Sequence, residues 1–380
     1  MSNSDDLIKF FQCVHRTNEK IELHPPVFKG NEKQYLNEAI NSTFVSSVGP
    51  FVDRFESLLA KTVKAKRAVA VVNGTAALQI ALAILGVRKN HIVLTQALTF
   101  VATANSILYN QADPAFIDVD IDSLGMSPEA LKKFLSCHCK LVRRQCIHKS
   151  TGRRVSACMP MHTFGFPSRI DEIVKVCDEW QIPVVEDAAE ALGSKLKGRS
   201  CGKYGKLGIY SFNGNKIATC GGGGAIITDD ENLADYAKHL TTTAKQPHKW
   251  EYSHNELGYN YRMPNLNAAV GCAQLEKLDC FLKNKKKLAE IYMEYFSANG
   301  FKFITERKNS EANYWLMTLQ LKNKKELLKF LTDMNKAMIQ TRPAWRLLFK
   351  LPFLRNKIRD NQLNAQFLAD RLVNIPSNVG

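Results

Sequence analysis

The strongest constraint on this chain is an alternation. Between about residues 55 and 230, short apolar runs are separated mostly by helix-length stretches: RAVAVV (67–72), HIVLT (91–95), PAFIDV (114–119), SACMPMH (156–162), IPVVED (182–187), LGIYSF (207–212) and GAIIT (224–228). Short Val- and Ile-rich segments joined by helices indicate a largely parallel sheet covered on both faces. The expectation is therefore an α/β fold with a mostly parallel seven-stranded sheet. The last two runs are close enough for one strand to be a hairpin-like antiparallel neighbour. Neither Gly-x-Gly-x-x-Gly nor Gly-x4-Gly-Lys-Ser/Thr occurs, which removes the dinucleotide and P-loop readings.

With 380 residues the chain exceeds the size at which one core stops growing. Beyond residue 260 the texture changes: NLNAAVGCAQLEKLDCFLKNKKKLAEIYMEYF reads as a long connecting helix, followed by NYWLMTLQL and a mixed region. We place a large domain at 30–264 and a smaller α+β domain at 265–380, with the segment 1–29 packing on the smaller one. The longest apolar run, AALQIALAILGV, is too short for a bilayer, and MSNSDDLIKFFQCVHR lacks the basic start and apolar stretch of a signal peptide. The expectation is a soluble, cytoplasmic protein with no membrane partner. Its ten cysteines have no regular framework. Cys137, His138, Cys139, Cys146 and His148 crowd into CHCKLVRRQCIH, a spacing that suits a plain loop better than a metal site. The net charge of +16 comes without a zinc finger, RNP-type strand or recognition helix, so nucleic acid is not expected. A basic surface serves equally well to attract a small, multiply charged anion.

In an open parallel sheet, ligands sit at the carboxyl ends of the strands. Asn73-Gly74-Thr75 follows the first run, Asp187 closes the fifth, Ser211 lies at the end of the sixth, and Lys216 comes shortly after. NGTAALQIAL sets Gly74 and Thr75 at a helix N-terminus, where unpaired N–H groups bind phosphate; Thr75 acting as an N-cap is the alternative. In VVEDAAEALGS a carboxylate closes a nearly all-apolar strand, which is costly unless a cation such as a protonated pyridine meets it; a turn-capping Asp is the alternative. SFNGNK supplies a lysine that is a nucleophile if partly desolvated and a plain loop lysine otherwise. The four glycines after it, GGGG at 221–224, let the backbone pass close to a cofactor and turn into the last strand. A phosphate cradle, an acid for a ring nitrogen and a Schiff-base lysine together specify pyridoxal 5′-phosphate.

The set NGTAAL, LTFVATANSI, IPVVEDAAEALGS, SFNGNK…GGGGAIIT and LGYNYRMPNLNAAVG resembles the DegT/DnrJ/EryC1/StrS sugar aminotransferases, fold-type I enzymes dependent on pyridoxal phosphate. TRPAWRLLFKLP, with MPMHTFGFPSRIDEI, looks most like the LegC branch, which aminates UDP-linked 4-keto-6-deoxy-N-acetylhexosamines on the way to nonulosonic acids. The resemblance implies that Lys216 links the cofactor and carries the proton, and that Asp187 keeps the pyridine nitrogen protonated. Gly74, Thr75 and Ser211 would hold the phosphate, with Ala76 and Asn213 beside them, and Phe100 would stack on the ring. Asn260 would reach the phosphate from the partner subunit of a homodimer. Glu190 stands near the cofactor's phenolic oxygen where many relatives have glutamine, and a carboxylate there opposes a phenolate unless one is protonated. Relatives that act as dehydratases replace the lysine with histidine; Lys216 therefore points to transamination.

Arg342 and Trp345 in TRPAW are candidate substrate contacts, a fork for a diphosphate or carboxylate and an indole face for a sugar or base; a packed strand-to-turn segment is the alternative. Arg262 is a weaker candidate of the same kind, and His162 reads as a satisfied histidine. The expected reaction moves an amino group from L-glutamate to C4 of a UDP-linked 4-keto-6-deoxy-N-acetylhexosamine. The alternatives are C3 amination or a GDP- or dTDP-linked sugar and, in another class, a non-catalytic regulator that retains the fold or a basic nucleic-acid-binding protein.

Overall fold

The computed structural model describes residues 4–378; residues 1–3 of the N-terminal segment and 379–380 of the C-terminal region lie outside the described residues. Every apolar run forms a strand: β1 Arg67–Val71, β2 Ile92–Gln96, β3 Asp113–Ile117, β4 Arg154–Met159, β5 Val185–Asp187, β6 Leu207–Ser211 and β7 Gly224–Thr228. β1 pairs with β7, β7 with β6 and β6 with β5, while β4 pairs with β2 and β2 with β3. Parallel bridges Cys158–Val184 and Met161–Asp187 join the halves, giving the order β1-β7-β6-β5-β4-β2-β3. β7 runs antiparallel to both its neighbours, and the pairings from β6 to β3 are parallel.

Burial explains why these strands read as unbroken apolar runs. Val69 and Val71 join a core with Leu78 and Ile80 of helix Gly74–Ile84. Ala68 and Ala70, on the opposite face, join the core of Phe55 and Leu59 from helix Pro50–Val63. A strand with helices on both faces has no wet side to mark its period of two. The topology carries Asn73, Asp187 and Ser211 to neighbouring strand ends along one edge of the sheet.

A second, antiparallel sheet is built from Lys302–Phe303, Met317–Gln320, Leu372–Ile375 and Arg342–Pro343. Helix Ser4–His15 lies against helix Leu278–Ala298, with the Phe10 ring stacked 3.5 Å from that of Tyr295. The chain returns past this sheet through a bridge between Ile21 and Ile339. Two expectations are corrected here. The connecting helix is two helices, Asn265–Glu276 and Leu278–Ala298, because the first buries Ala268 and Cys272 against helices Glu32–Asn41 and Pro50–Val63 while the second turns Phe281, Tyr292 and Phe296 toward the other sheet. CHCKLVRRQCIH is a β-hairpin rather than a loop, with Cys139–Val142 paired to Gln145–His148 and Cys139 and Cys146 buried beneath it. Among the described residues no helix is long and apolar enough to cross a membrane.

Candidate active site

At that edge lies a cavity of about 330 Å³ lined by Gly74, Thr75, Phe100, Asp187, Glu190, Ser211, Asn213, Lys216 and Trp345, with Asn73, Thr103 and Trp315 among the additional walls. One end is the start of helix Gly74–Ile84. Its N-cap is Asn73, whose Oδ1 accepts the Ala76 N–H at 2.8 Å, so the Thr75 hydroxyl is not used for the cap. The same bond corrects the expectation for Ala76, which does not line the cavity and whose N–H is already taken. Gly74 lies flat against Ser211: a Cβ placed on it would fall 3.1 Å from the serine Cβ and 3.3 Å from its Oγ. N–H groups at a helix start, beside two hydroxyls, form an anion cradle.

The far wall carries the carboxylates. Asp187 is buried, its Oδ2 accepting from the Thr103 hydroxyl at 2.7 Å and its Oδ1 from the Ala189 N–H at 3.2 Å. Burial raises its pKa against the opposing pull of these two bonds. A buried carboxylate of this kind gains by meeting a cation. Glu190 stands beside it, its Oε1 3.2 Å from Lys216 Nζ and its Oε2 accepting the Phe164 N–H at 2.9 Å. Burial pushes the Glu190 carboxyl up to about 7, with the Lys216 charge pulling the other way. Lys216 Nζ also lies 3.9 Å from the centre of the Trp315 ring, whose Nε1–H donates to the Asn215 carbonyl at 2.7 Å. The lysine is thus partly desolvated, as a nucleophilic amine requires.

The remaining candidates divide. Trp345 lines the cavity, its ring 4.7 Å from that of Phe164 and 6.4 Å from that of Phe100, and Phe100 stands at the rim, half exposed. Arg342 does not line the cavity; it sits on the second sheet with its guanidinium bonded to Asn335 Oδ1 and the Thr341 carbonyl. Asn260 and Arg262 also lie outside it. Arg262 bridges Val71 at the end of β1 and Asn260 bridges Thr242, and Asn260 Oδ1 accepts from Arg262 Nε at 3.2 Å and Nη2 at 3.0 Å. His162 is satisfied: its Nδ1 accepts the Ser168 N–H at 3.1 Å, leaving Nε2 to donate to Glu186 at 3.0 Å. Thr103 and Trp315 were not singled out from sequence, although LTFVATANSI and NYWLMTLQL contain them.

This donor set fits pyridoxal 5′-phosphate: an anion cradle in which a Cβ at Gly74 would press on Ser211, a buried carboxylate for the ring nitrogen, and a half-buried lysine between them. Fold and site define a class, the sugar aminotransferases that depend on this cofactor. The chain belongs to the DegT/DnrJ/EryC1/StrS aminotransferase family, whose sequence profile matches residues 26–380. It is 40% identical over 339 residues to the Bacillus subtilis protein named putative pyridoxal phosphate-dependent aminotransferase EpsN, covering 88% of this chain and 84% of that one. It is 32% identical over 357 residues to the GDP-perosamine synthase of Escherichia coli O157:H7, covering 94% and 93%. In fold it resembles Helicobacter pylori PseC, an aminotransferase of pseudoaminic acid biosynthesis, with a TM-score of 0.84 at 20% identity over 94% of each chain.

Proposed function

We propose that the enzyme transfers an amino group from L-glutamate to C4 of a UDP-linked 4-keto-6-deoxy-N-acetylhexosamine, as a LegC-type step toward a legionaminic-type nonulosonic acid or a surface-glycan sugar. The observation that carries the aminotransferase chemistry is the convergence of Lys216, Asp187 and the Gly74–Thr75–Ser211 cradle on one cavity. The UDP-N-acetylhexosamine reading rests on the TRPAW tract, whose Trp345 offers an aromatic face in the cavity wall.

Gly74, Thr75 and Ser211 would hold the cofactor's phosphate, Asp187 its ring nitrogen and Lys216 its aldehyde carbon. When bound, the cofactor supplies an electron sink that stabilises negative charge at the carbon losing its proton. The chain's own work is positional. Thr103 fixes the Asp187 carboxyl, Trp315 and Glu190 hold Lys216 Nζ at the cavity wall, and Nζ carries the proton. Phe100 and Trp345 shield the rim from water.

A diphosphate needs more positive charge than this wall provides, since among the described residues Lys216 is the one Lys or Arg lining the cavity. We infer that a second copy of the chain supplies the rest through Arg262, with Asn260 beside it reaching the cofactor's phosphate. Their segment also exposes Trp250 (78%), Tyr252 (77%) and Leu257 (81%), an apolar surface that suits an interface with a second copy. Asn260→Ala should then weaken cofactor retention. Mixing this variant with Lys216→Ala should leave one intact site in each hybrid dimer, about half of wild-type activity per hybrid and about a quarter for a randomly reassorted equal mixture, whereas no recovery would mean that each chain holds a complete site.

One observation favours a second substrate reading: relatives at 30–32% identity are named GDP-perosamine synthases, which points to a GDP-linked keto sugar. The visible spectrum of the loaded enzyme decides between them. L-glutamate should bleach the bound cofactor, and a UDP-4-keto-6-deoxy-N-acetylhexosamine should restore the colour. Recovery with a GDP-linked sugar alone would overturn the UDP assignment.

A further inference from the structure

We propose that Glu190 and Lys216 share a single proton in the cofactor-free site, and that Glu190 is the base that frees the Lys216 amine for attachment to the cofactor's aldehyde. The inference rests on the reading of Lys216 as the linking lysine and adds a second residue to that step. The step is a transfer of one proton from Nζ to Oε1. The ammonium becomes an amine with its lone pair available, the carboxylate becomes a carboxylic acid, and the charge of the pair as a whole does not change.

The geometry singles out this carboxylate. Glu190 is 3% exposed and held at both ends. Its carbonyl accepts from Asn313 Nδ2 at 2.8 Å, and its Oε2 accepts the Phe164 N–H at 2.9 Å, which leaves Oε1 to face Nζ at 3.2 Å. Phe164 makes that contact from φ +57 and ψ 15, a left-handed conformation that costs a residue with a bulky side chain of the order of 1 kcal/mol or more. Its ring is anchored on Trp345, and the following turn closes on Asn313, whose Oδ1 would lie 1.9 Å from a Cβ at Gly165. Strain kept to present one N–H to one oxygen of a buried acid is consistent with a site organised around that acid.

The neighbouring charges bear on where the proton sits. Asp187 faces both members of the pair, and its negative charge disfavours a second carboxylate. His24 faces Lys216 from the N-terminal segment, and burial together with the charges of Lys285 and Lys216 keeps its pKa well below the ordinary histidine value. Burial places the Glu190 carboxyl within reach of neutral pH. A proton can therefore reside on either member of the pair near pH 7.

The test is the rate at which cofactor-free protein takes up pyridoxal 5′-phosphate, followed by absorbance from about pH 6 to about pH 9. If one proton is shared, the wild-type rate rises until Glu190 gives up its proton, at about pH 7, and then stays nearly level while the pair keeps its single proton. Glu190→Gln has no such reservoir, and its rate should climb about tenfold per pH unit across the same range. Dividing the two profiles removes the pH dependence of the cofactor itself. A wild-type rate that climbs tenfold per unit like the variant's would overturn the inference, whether or not the variant is fully stable. A protein that takes up the cofactor but forms no covalent link to Lys216 at any pH would overturn the underlying reading as well.

Discussion

The glycine run ends at a position where a methyl group should have a measurable cost. A Cβ on Gly224 would lie 2.4 Å from the carbonyl carbon of Asn73, 2.5 Å from its oxygen and 2.7 Å from the nitrogen of Gly74. All three are backbone atoms, so no rotamer change relieves the overlap. Gly224 is held there by its pairing with Val71 and Ser211, and Asn73 is held by its cap on Ala76. Gly224→Ala must therefore draw β7 away from β1 or push the Asn73–Gly74 junction outward. Overpacking of this kind costs about 1–3 kcal/mol. If the junction moves, the proposed phosphate donors move with it, and the same strain corresponds to roughly a 5- to 150-fold loss of cofactor affinity. Gly222→Ala is the control: a Cβ there meets nothing within 4 Å, so it should be neutral or stabilising by up to about 1 kcal/mol. Urea denaturation of the cofactor-free proteins, with equilibrium titration of the cofactor, separates the two costs. Equal midpoints and equal affinities for the two variants would refute the reasoning.

Lys216→Ala should retain the fold and bind cofactor without a covalent link; full turnover, or reductive trapping of the cofactor at the same site, would contradict the assignment. Thr103→Ala removes a hydrogen bond to the Asp187 carboxyl, an interaction worth about 1.5–3 kcal/mol if that group is ionised. Cofactor affinity, read by titration calorimetry, should fall accordingly, and an unchanged value would separate Thr103 from the ring-binding carboxylate. The pH dependence of stability follows from Glu190, whose carboxyl is displaced from 4.5 to about 7 in the folded state. Between those values the folded protein binds more protons than the unfolded chain, so this contribution is fully present below about pH 4.5 and is lost as pH rises through about 7. At about 1.4 kcal/mol per unit, cofactor-free wild type should lose about 3 kcal/mol relative to Glu190→Gln across that window. A gap that stays constant in pH-resolved denaturation would show that folding does not displace the Glu190 carboxyl from its ordinary range.

The parallel sheet was readable because its strands are buried twice over. Val69 and Val71 pack one way and Ala68 and Ala70 the other, so each strand is a solid apolar block that needs no alternation to be seen. The hairpin at 139–148 failed for the converse reason. Lys140, Leu141, Val142, Arg143 and Arg144 are exposed, so Cys139 and Cys146 alone could not announce a strand. The run of glycines was legible as a necessity but not as a set of reasons. Gly221 supplies a φ of +76, whereas Gly224 supplies room beside Asn73. One is a property of the residue's own backbone, while the other belongs to a neighbour about 150 positions away in sequence and is invisible until β1 and β7 pair.

The same distinction governs the site. Gly74, Asp187, Ser211 and Lys216 could be named early because each lies at or soon after the end of a strand, and a parallel sheet brings successive strand ends to one edge. Thr103, Trp315 and Phe164 could not, because each acts through another residue across the fold: Thr103 reaches Asp187 from 84 positions away. Arg342 had suitable chemistry in the right motif, yet the second sheet turns it onto Asn335. Glu190 lies between these cases. Its place in the cavity beside Lys216 follows from the strand ending at Asp187, but glutamate and glutamine have nearly the same shape and differ in whether they can carry a proton. Where that proton sits depends on burial, on the Phe164 N–H and on the Nζ opposite. The letter at position 190 therefore raises a chemical question that the sequence states clearly, and the fold around Phe164 determines the answer.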